Sequence, residues 1–220
     1  MTLIEAVVVI FVIAFLVAML LAALVPHLSG RQRINCTNNL KQINLAYRIW
    51  AGDNNDKYPM QVSAINGGAM ELVGGPDAWK PFQVMSNELS TPKILYCPED
   101  AAHGTAPTNF GDDLKNKISY FIGADATVAN TNVLLSGDDH FLINGSPVKP
   151  GLIEVTSNTP IAWDSSRHVF VETHAWVFKK KTGWGNIGLG DGSIRWQMTS
   201  PGLTNLLSQT GLAANRLAIP

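Results

Sequence analysis

The stretch MTLIEAVVVIFVIAFLVAML (residues 1–20) opens the chain and governs the interpretation of everything after it. No Asp, Glu, Lys, Arg or His occurs from Ala6 to Val25. About 20 residues of α-helix span ~30 Å, which is the thickness of the hydrocarbon core of a bilayer. Glu5 precedes this run, and a carboxylate at the edge of an apolar helix is costly in lipid unless a cation pairs with it. The stretch therefore predicts a membrane-anchoring helix with a specific role for Glu5.

The start differs from ordinary targeting segments. A secretory signal peptide has a basic n-region and a shorter apolar run, and a type II anchor usually carries Lys or Arg before its span. No Lys or Arg precedes Arg31 here. We expect that a basic leader has been removed and that Met1 is a processed terminus. The alternative is that Met1 is the initiator of an unusual anchor.

The bulk composition fits one anchor and one globular head. The chain has 220 residues, a formal net charge of -1 and 15% charged residues, which argues against a general nucleic-acid binder. We expect residues 1–28 to form the anchor and residues 29–220 to form the head. The first part of the head, about residues 29–52, is expected to continue the anchor helix.

The second part of the long helix carries an apolar stripe. Residues at steps of three and four mark one helical face: Cys36, Leu40, Ile43, Tyr47 and Trp50. Leu45 and Ile49 are expected to widen this face. Pro26 and Gly30 are expected to kink or open the helix, because proline removes a backbone donor. Turn-forming residues from Gly52 to Asp56 should end the helix.

Short runs of β-branched and aromatic residues, separated by turn signals, follow from about Ile94 and predict strands. They read ILYC, SYFIG, NVLLSGD, HFLING, PIAWD, HVFVE and AWVFK. GNIGLGDGSIRWQ (residues 185–197) predicts a β-hairpin that turns at Asp191-Gly192. TSPGLTNLLSQTG (residues 199–211) predicts a closing helix with Ser200 as its N-cap. The predicted fold class is α+β: a long N-terminal helix whose C-terminal half packs on a meandering antiparallel β-sheet head.

TLIEAVVVI (residues 2–10) resembles the start of mature type IV pilins and type II secretion pseudopilins. In that family a leader peptidase cuts before the first residue, usually Phe, and the new terminus is N-methylated. Met1 departs from Phe at this position. The resemblance implies that Glu5 neutralises the N-terminal amine of a neighbouring subunit inside a filament, which would supply the cation that a dry helical bundle requires. The alternative places Glu5 at the lipid headgroups.

Further segments resemble a pilin-like subfamily common in planctomycetes and verrucomicrobia. They are CTNNLKQINLAYRIWAGDNNDKYPMQ (residues 36–61), LYCPED (residues 95–100) and the hairpin GLGDGSIRW (residues 188–196). Many relatives carry a histidine that nine residues separate from the Asp-Gly of that hairpin, where this chain has Lys181. Many pilins also place a proline at the position of Ala22. The resemblance implies a type IV pilin-like fold over nearly the whole chain.

Cys36 and Cys97 both lie beyond the anchor, so they can form a disulfide in an exported head. Two reduced, buried thiols are the alternative. Their spacing does not fit a structural zinc site.

Two short segments raise the question of a ligand. SGDDHFLINGS (residues 136–146) offers Asp138 and Asp139 as oxygen ligands for calcium, but we favour a polar turn between two strands. WVFKKKTGWGN (residues 176–186) places Lys179, Lys180 and Lys181 among aromatic residues, a pattern that can bind single-stranded nucleic acid. We favour a solvated loop there and do not expect a nucleic-acid partner.

Enzyme signatures are lacking in the sequence. Neither G-x-S-x-G nor H-E-x-x-H occurs, and Asp164, Ser165 and His168 are interpreted as a turn rather than as catalytic residues. We therefore predict neither an enzyme nor a cofactor, with calcium as the alternative noted above.

The resemblance implies a structural subunit of a type IV pilus-like or type II secretion pseudopilus filament. The expected partners are further copies of the chain in a helical homopolymer, the inner membrane before assembly, a prepilin peptidase and the assembly machinery. The expected location changes from the inner membrane to a periplasmic or extracellular filament. The alternatives are a minor tip pseudopilin and a filament-borne adhesion or DNA-capture module.

Overall fold

A computed structural model describes residues 3–167 and 183–220, with the backbone alone described for residues 22–33, Ala101 and Asp112. The helices are α1 (Leu3–Asp53), α2 (Lys80–Val84), α3 (Ser86–Leu89) and α4 (Ser200–Gln209). The strands are β1 (Tyr120–Gly123), β2 (Leu134–Asp138), β3 (Phe141–Ile143), β4 (Ser146–Pro147), β5 (Gly151–Val155), β6 (Ile161–Trp163), β7 (Trp184–Leu189), β8 (Ile194–Thr199) and β9 (Asn215–Ile219). Short 3₁₀ helices cover Pro59–Gln61, Ala64–Asn66, Pro92–Leu95, Ala101–His103 and Asp112–Leu114.

The strands form a six-stranded sheet in the order β5-β9-β1-β2-β7-β8 and a three-stranded sheet in the order β4-β3-β6. The paired strands are antiparallel in both sheets. The protein is therefore α+β, with an apolar N-terminal helix and an antiparallel sheet. The expected meander is wrong, because the last strand, β9, inserts between β5 and β1.

The C-terminal half of α1 packs on the six-stranded sheet and contacts β2, β7 and β8. The predicted stripe is confirmed, since the side chains from Cys36 to Trp50 that define it are at most 6% exposed. Leu45 and Ile49 are 59% and 47% exposed, so the expectation that they widen this face is wrong. Each lies two positions after a buried stripe residue, and a step of two turns a helix by about 200° to its opposite side.

A buried polar contact holds the helix close to the sheet. Asn44 is fully buried, and Ser136 Oγ on β2 donates a hydrogen bond to Asn44 Oδ1 at 2.6 Å. A Cβ atom on Gly188 of β7 would lie 2.2 Å from Asn44 Nδ2. Only glycine fits at position 188 while the helix keeps this approach to the sheet.

The helix α1 is continuous from Leu3 to Asp53 and passes through Pro26 and Gly30. The expected break at these residues is therefore absent from the single chain. A proline removes one N–H donor from a helix, and the remaining turns on either side keep their own hydrogen bonds. Whether this region unwinds in a filament stays a prediction.

Cys36 and Cys97 form a disulfide with a Cα–Cα distance of 4.8 Å, and both side chains are fully buried. The bond joins α1 to the segment that follows the 3₁₀ helix Pro92–Leu95. Tyr120 Oη on β1 also donates to the Cys36 carbonyl at 3.2 Å. The disulfide therefore fastens the helix to the head near the first stripe residue.

The predicted hairpin is confirmed: β7 and β8 pair, and the chain turns at Asp191 and Gly192. Gly192 has a φ of 86°, in the left-handed region that favours glycine. Asp191 Oδ1 accepts a hydrogen bond from the Ser193 amide at 2.8 Å, which closes the turn.

The closing helix is confirmed as α4, but Thr199 is its N-cap and accepts from the Gly202 amide. Ser200 Oγ instead accepts from the Trp163 amide at 3.0 Å, which joins α4 to β6. The segment ILYC is not a strand, since Pro92 begins a 3₁₀ helix there. Strands β5 and β9 were not predicted. HVFVE and AWVFK lie outside the described residues.

Replacing Leu40 by Ala should lower the free energy of unfolding by about 2–5 kcal/mol, because it leaves a cavity under the helix. Leu45→Ala is the matched control on the exposed side of the same helix, with an expected effect within about 0.5 kcal/mol. Urea denaturation of the full chain in detergent measures both. Equal effects of the two substitutions would contradict the packing of α1 described here.

Reducing the disulfide should lower the melting temperature of the head. The bond closes a loop with a sequence separation of 61 residues. On the chain-entropy model, such a loop contributes about 4 kcal/mol. A double Cys36→Ala, Cys97→Ala variant should melt lower than the wild type and should not respond to reductant. A wild-type melting temperature that reductant leaves unchanged would refute this contribution.

Candidate functional site

The largest exposed apolar surface among the described side chains is the first half of α1. Leu3–Leu21 is a 19-residue segment with a mean hydropathy of 3.1, and none of it is buried. Phe11 is 72% exposed and Leu16 is 58% exposed. By length and composition the segment suffices to cross a membrane, and a signal sequence has the same properties.

One helix therefore has two different surroundings. From Cys36 to Trp50 its apolar face is covered by the head, whereas from Leu3 to Leu21 the described part of the chain covers nothing. Soluble monomers rarely expose apolar patches larger than a few hundred Å². The exposed half of the helix is therefore a surface of the kind that lipid or another protein chain covers.

Glu5 lies in the first turn of α1 and is exposed. A carboxylate in the first turn interacts favourably with the positive end of the helix dipole. Met1, whose amine the resemblance pairs with a neighbouring Glu5, lies outside the described residues. The structure thus places the carboxylate at the tip of the apolar segment.

Asp138 ends β2 and is fully buried on the side of the sheet that faces α1. Its Oδ2 accepts hydrogen bonds from the backbone N of Asn186 at 2.7 Å and from Asn186 Nδ2 at 2.9 Å. Thr37 Oγ1 on α1 donates to Asn186 Oδ1 at 3.3 Å, so this polar group reaches the helix. Burial raises the pKa of Asp138 to about 8, although the hydrogen bonds from Asn186 oppose the shift.

Asp139 follows directly but has different partners. Its Oδ1 accepts from Arg167 at 3.0 Å, and its Oδ2 lies 3.6 Å from His103 Nε2. The segment connects β2 to β3, as expected of a polar turn between two strands, but Asp139 is only 2% exposed. Adjacent residues of an extended chain point to opposite sides. The structure therefore separates the partners of Asp138 from those of Asp139 rather than combining them in one calcium site.

Asp100, His103, Asp139 and Arg167 form one cluster, which we call the polar cluster. His103 Nδ1 lies 2.5 Å from Asp100 Oδ2, three residues earlier in the chain. An Arg167 guanidinium nitrogen lies 3.3 Å from Asp100 Oδ2 as well as contacting Asp139. Asp100 is fully buried, whereas the His103 side chain is 13% exposed. One ligand atom from each of Asp100, His103 and Asp139 lies within 4.8 Å of the others, so these three residues could hold a metal ion.

The charges of the polar cluster shift its protonation equilibria. Burial alone would lower the pKa of His103, but the hydrogen bond with Asp100 and the charges of Asp139 and Asp100 outweigh it and raise that pKa. Burial raises the pKa of Asp139 to about 6, against the opposing charges of Arg167 and His103. Both groups therefore bind protons more tightly in the folded chain than in the unfolded chain.

Two further groups of candidate residues remain: the possible catalytic residues near Asp164 and the lysine run with its neighbouring aromatic residues. Asp164 Oδ1 accepts from the Ser166 amide at 2.9 Å and from Ser166 Oγ at 2.6 Å, so the predicted turn is present. His168 and the lysine run at residues 179–181 lie outside the described residues, as do the neighbouring aromatic residues Trp176 and Phe178. Trp184 begins β7 and is buried.

Searches against protein-family models, curated proteins and solved structures find no match to the chain.

Sequence reasoning missed the polar cluster. The Asp100-x-x-His103 spacing puts two side chains on one helical turn and was a usable local signal. Arg167 is 67 residues from Asp100 and 28 from Asp139, so only the tertiary fold brings it there. The buried hydrogen bonds of Asn44 and Asn186 were not predicted either, because no local sequence pattern distinguishes a buried asparagine from an exposed one.

The stability of the head should fall as the pH rises from 5 to 8. The pKa of Asp138 is about 8 in the folded chain, whereas an aspartate in the unfolded chain has its ordinary pKa of 3.8. The folded state therefore retains a proton that the unfolded state releases. The stability from this group is complete below about pH 4 and is lost as the pH rises through about 8. Asp138→Asn cannot titrate and still offers an acceptor to Asn186, so this variant should lose less stability over that range.

Urea denaturation at several pH values, in buffer with EDTA, measures this slope. Asp139 and His103 should preserve part of it in the variant, since both have raised pKa values. Asp113→Asn is the matched control, because a hydrogen bond with Lys117 lowers the pKa of Asp113 and moves its titration below this range. Identical slopes in the wild type and Asp138→Asn would show that Asp138 does not titrate there.

Proposed function

We propose that this protein is the structural subunit of a type IV pilus-like or type II secretion pseudopilus-like filament, and that its apolar helix forms the filament core. The observation that carries the proposal is the uncovered segment Leu3–Leu21, which continues without interruption into a helix fixed to a head. Before assembly this segment lies in the inner membrane. In the filament, the same segments of neighbouring copies cover one another.

Assembly moves the apolar segment Leu3–Leu21 from the lipid bilayer into a bundle of helices, so the segment stays out of water in both states. In lipid the segment is already out of water, so helix association there depends on packing and on interhelical polar contacts. A bundle of such helices outside the membrane is kept together by removal of apolar surface from water. Contacts between different surfaces of successive copies do not close into a ring and so build a helical fibre. Extraction from lipid requires an assembly machine.

Glu5 sets the register between copies in this proposal. A carboxylate carried into a dry bundle requires a cation, and the resemblance to pilins supplies the N-terminal amine of the next copy. Since Glu5 lies in the first turn of α1, such a pair would bring the ends of neighbouring helices to a fixed axial offset. Removing one partner of a buried ion pair costs about 3–5 kcal/mol.

The head forms the outer surface of the fibre. Its attachment to the core helix depends on the buried stripe of α1 and on the disulfide between Cys36 and Cys97. The helix is thus attached to the head by one covalent bond and by one packed face. Such attachment suits a subunit that must transmit force along its length.

Glu5→Gln should reduce the amount of chain in sheared surface fibres by roughly a hundredfold, since a loss of about 3 kcal/mol per contact strongly disfavours assembly. Glu71→Gln, which alters an exposed glutamate of the head, is the matched control and should assemble normally. Quantitative immunoblots of sheared and membrane fractions from the source cells measure both variants.

Two results would count against parts of this proposal. Normal assembly of Glu5→Gln would contradict the role of Glu5 while leaving the apolar core in place. A wild-type chain found in the membrane fraction alone would contradict assembly itself and favour a simple anchor.

A further inference from the structure

We propose that His103 and Asp139 bind one divalent transition-metal ion, with Zn²⁺ as the test ion, and that Asp100 orients His103 for this purpose. The proposal concerns the head alone and does not depend on filament assembly. It gives the polar cluster a ligand class that differs from calcium, which was the alternative considered for Asp138 and Asp139.

The first step is the tautomer of His103. Its Nδ1 lies 2.5 Å from Asp100 Oδ2, and such an approach to a carboxylate requires a proton on Nδ1. Arg167, which carries donors alone, lies 3.3 Å from the same nitrogen, but the Asp100 contact at 2.5 Å is far shorter and decides the tautomer. In the neutral imidazole, Nε2 then carries the lone pair. A carboxylate that fixes a histidine in this way is the usual outer partner of a metal-binding histidine.

The second step is the separation of the ligand atoms. His103 Nε2 and Asp139 Oδ2 lie 3.6 Å apart, which is too long for a hydrogen bond. Zinc lies ~2.0–2.1 Å from nitrogen and ~2.0–2.2 Å from oxygen, so two ligands at a tetrahedral angle are ~3.4 Å apart. Arg167 holds the other Asp139 oxygen at 3.0 Å and leaves Oδ2 directed to the histidine. The two atoms thus have the spacing of two ligands of one ion.

The third step is charge. Both carboxylates of the polar cluster are at most 2% exposed, so burial penalises their negative charge. A dication bound by Asp139 would lower that cost. His103 is 13% exposed, which gives an ion access from solvent. An imidazole ligand favours zinc and other first-row transition metals over calcium, which prefers oxygen ligands.

Arg167 separates this proposal from the simplest alternative, in which a protonated His103 and Arg167 neutralise the two carboxylates as an ion-pair network. In that network, loss of Arg167 removes a needed cation and creates no metal affinity. In a metal site, Arg167 repels the ion, so its removal should tighten binding. Arg167→Met, which keeps most of the side-chain length, tests the difference in sign.

The experiment uses the full chain in detergent, stripped of metal and then dialysed against Zn²⁺, with bound metal measured by mass spectrometry. The wild type should hold about one Zn²⁺ per chain and no Ca²⁺. His103→Gln and Asp139→Asn should lose that ion. Asp100→Asn should bind it ~10–100-fold more weakly, as expected for an outer partner. Asp113→Asn, which alters a partly exposed carboxylate that pairs with Lys117 outside the polar cluster, should bind normally.

Cobalt provides a second readout that needs no variant. Co²⁺ bound by the wild-type chain should show visible absorption bands typical of a site with a nitrogen ligand, and Zn²⁺ should displace it. No Zn²⁺ binding by the wild type, undiminished binding by His103→Gln, or weaker binding by Arg167→Met would each overturn the proposal. Circular dichroism of each variant establishes that a lost ion reflects a lost ligand rather than an unfolded head.

Discussion

The packing of one face of α1 on the six-stranded sheet is the contact on which the rest of the structure depends. The stripe from Cys36 to Trp50 belongs to the core on that side of the sheet, and at Asn44 and Gly188 the helix leaves no room for a Cβ atom on the strand. This contact fixes the direction in which the helix leaves the head. It also decides which helical residues stay exposed, since Leu45 and Ile49 lie opposite the sheet.

The same constraint explains why the two halves of α1 differ in chemistry. A helix that rests on a sheet needs one apolar stripe, whereas a helix surrounded by lipid or by other helices is apolar on all sides. The change between these patterns occurs within one continuous element. The disulfide at the first stripe residue fastens the head where the change ends. A single element can therefore connect a folded head to a hydrophobic environment.

The sequence predicts well the features that depend on local spacing, and it predicts poorly the contacts between residues that are distant in the chain. The stripe, the Asp191-Gly192 hairpin and α4 follow from local spacing, which a single sequence displays directly. Strand β9 was missed because its pairing with β5 and β1 is set by distant residues. The polar cluster was missed for the same reason, since Arg167 meets Asp100 and Asp139 through the fold alone. Asp139 was expected in a polar turn, and the short sequence Gly-Asp-Asp does not reveal that this residue is buried.

The position of the apolar helix in an assembled fibre can be seen by cryo-electron microscopy of fibres sheared from the source cells, with this chain identified in them by mass spectrometry. We expect helical fibres in which Leu3–Leu21 lies at the axis, surrounded by the same segment of neighbouring copies, with the heads outside. Fibres with that segment at their surface, or fibres that lack the chain while membranes contain it, would show that this helix does not form a filament core.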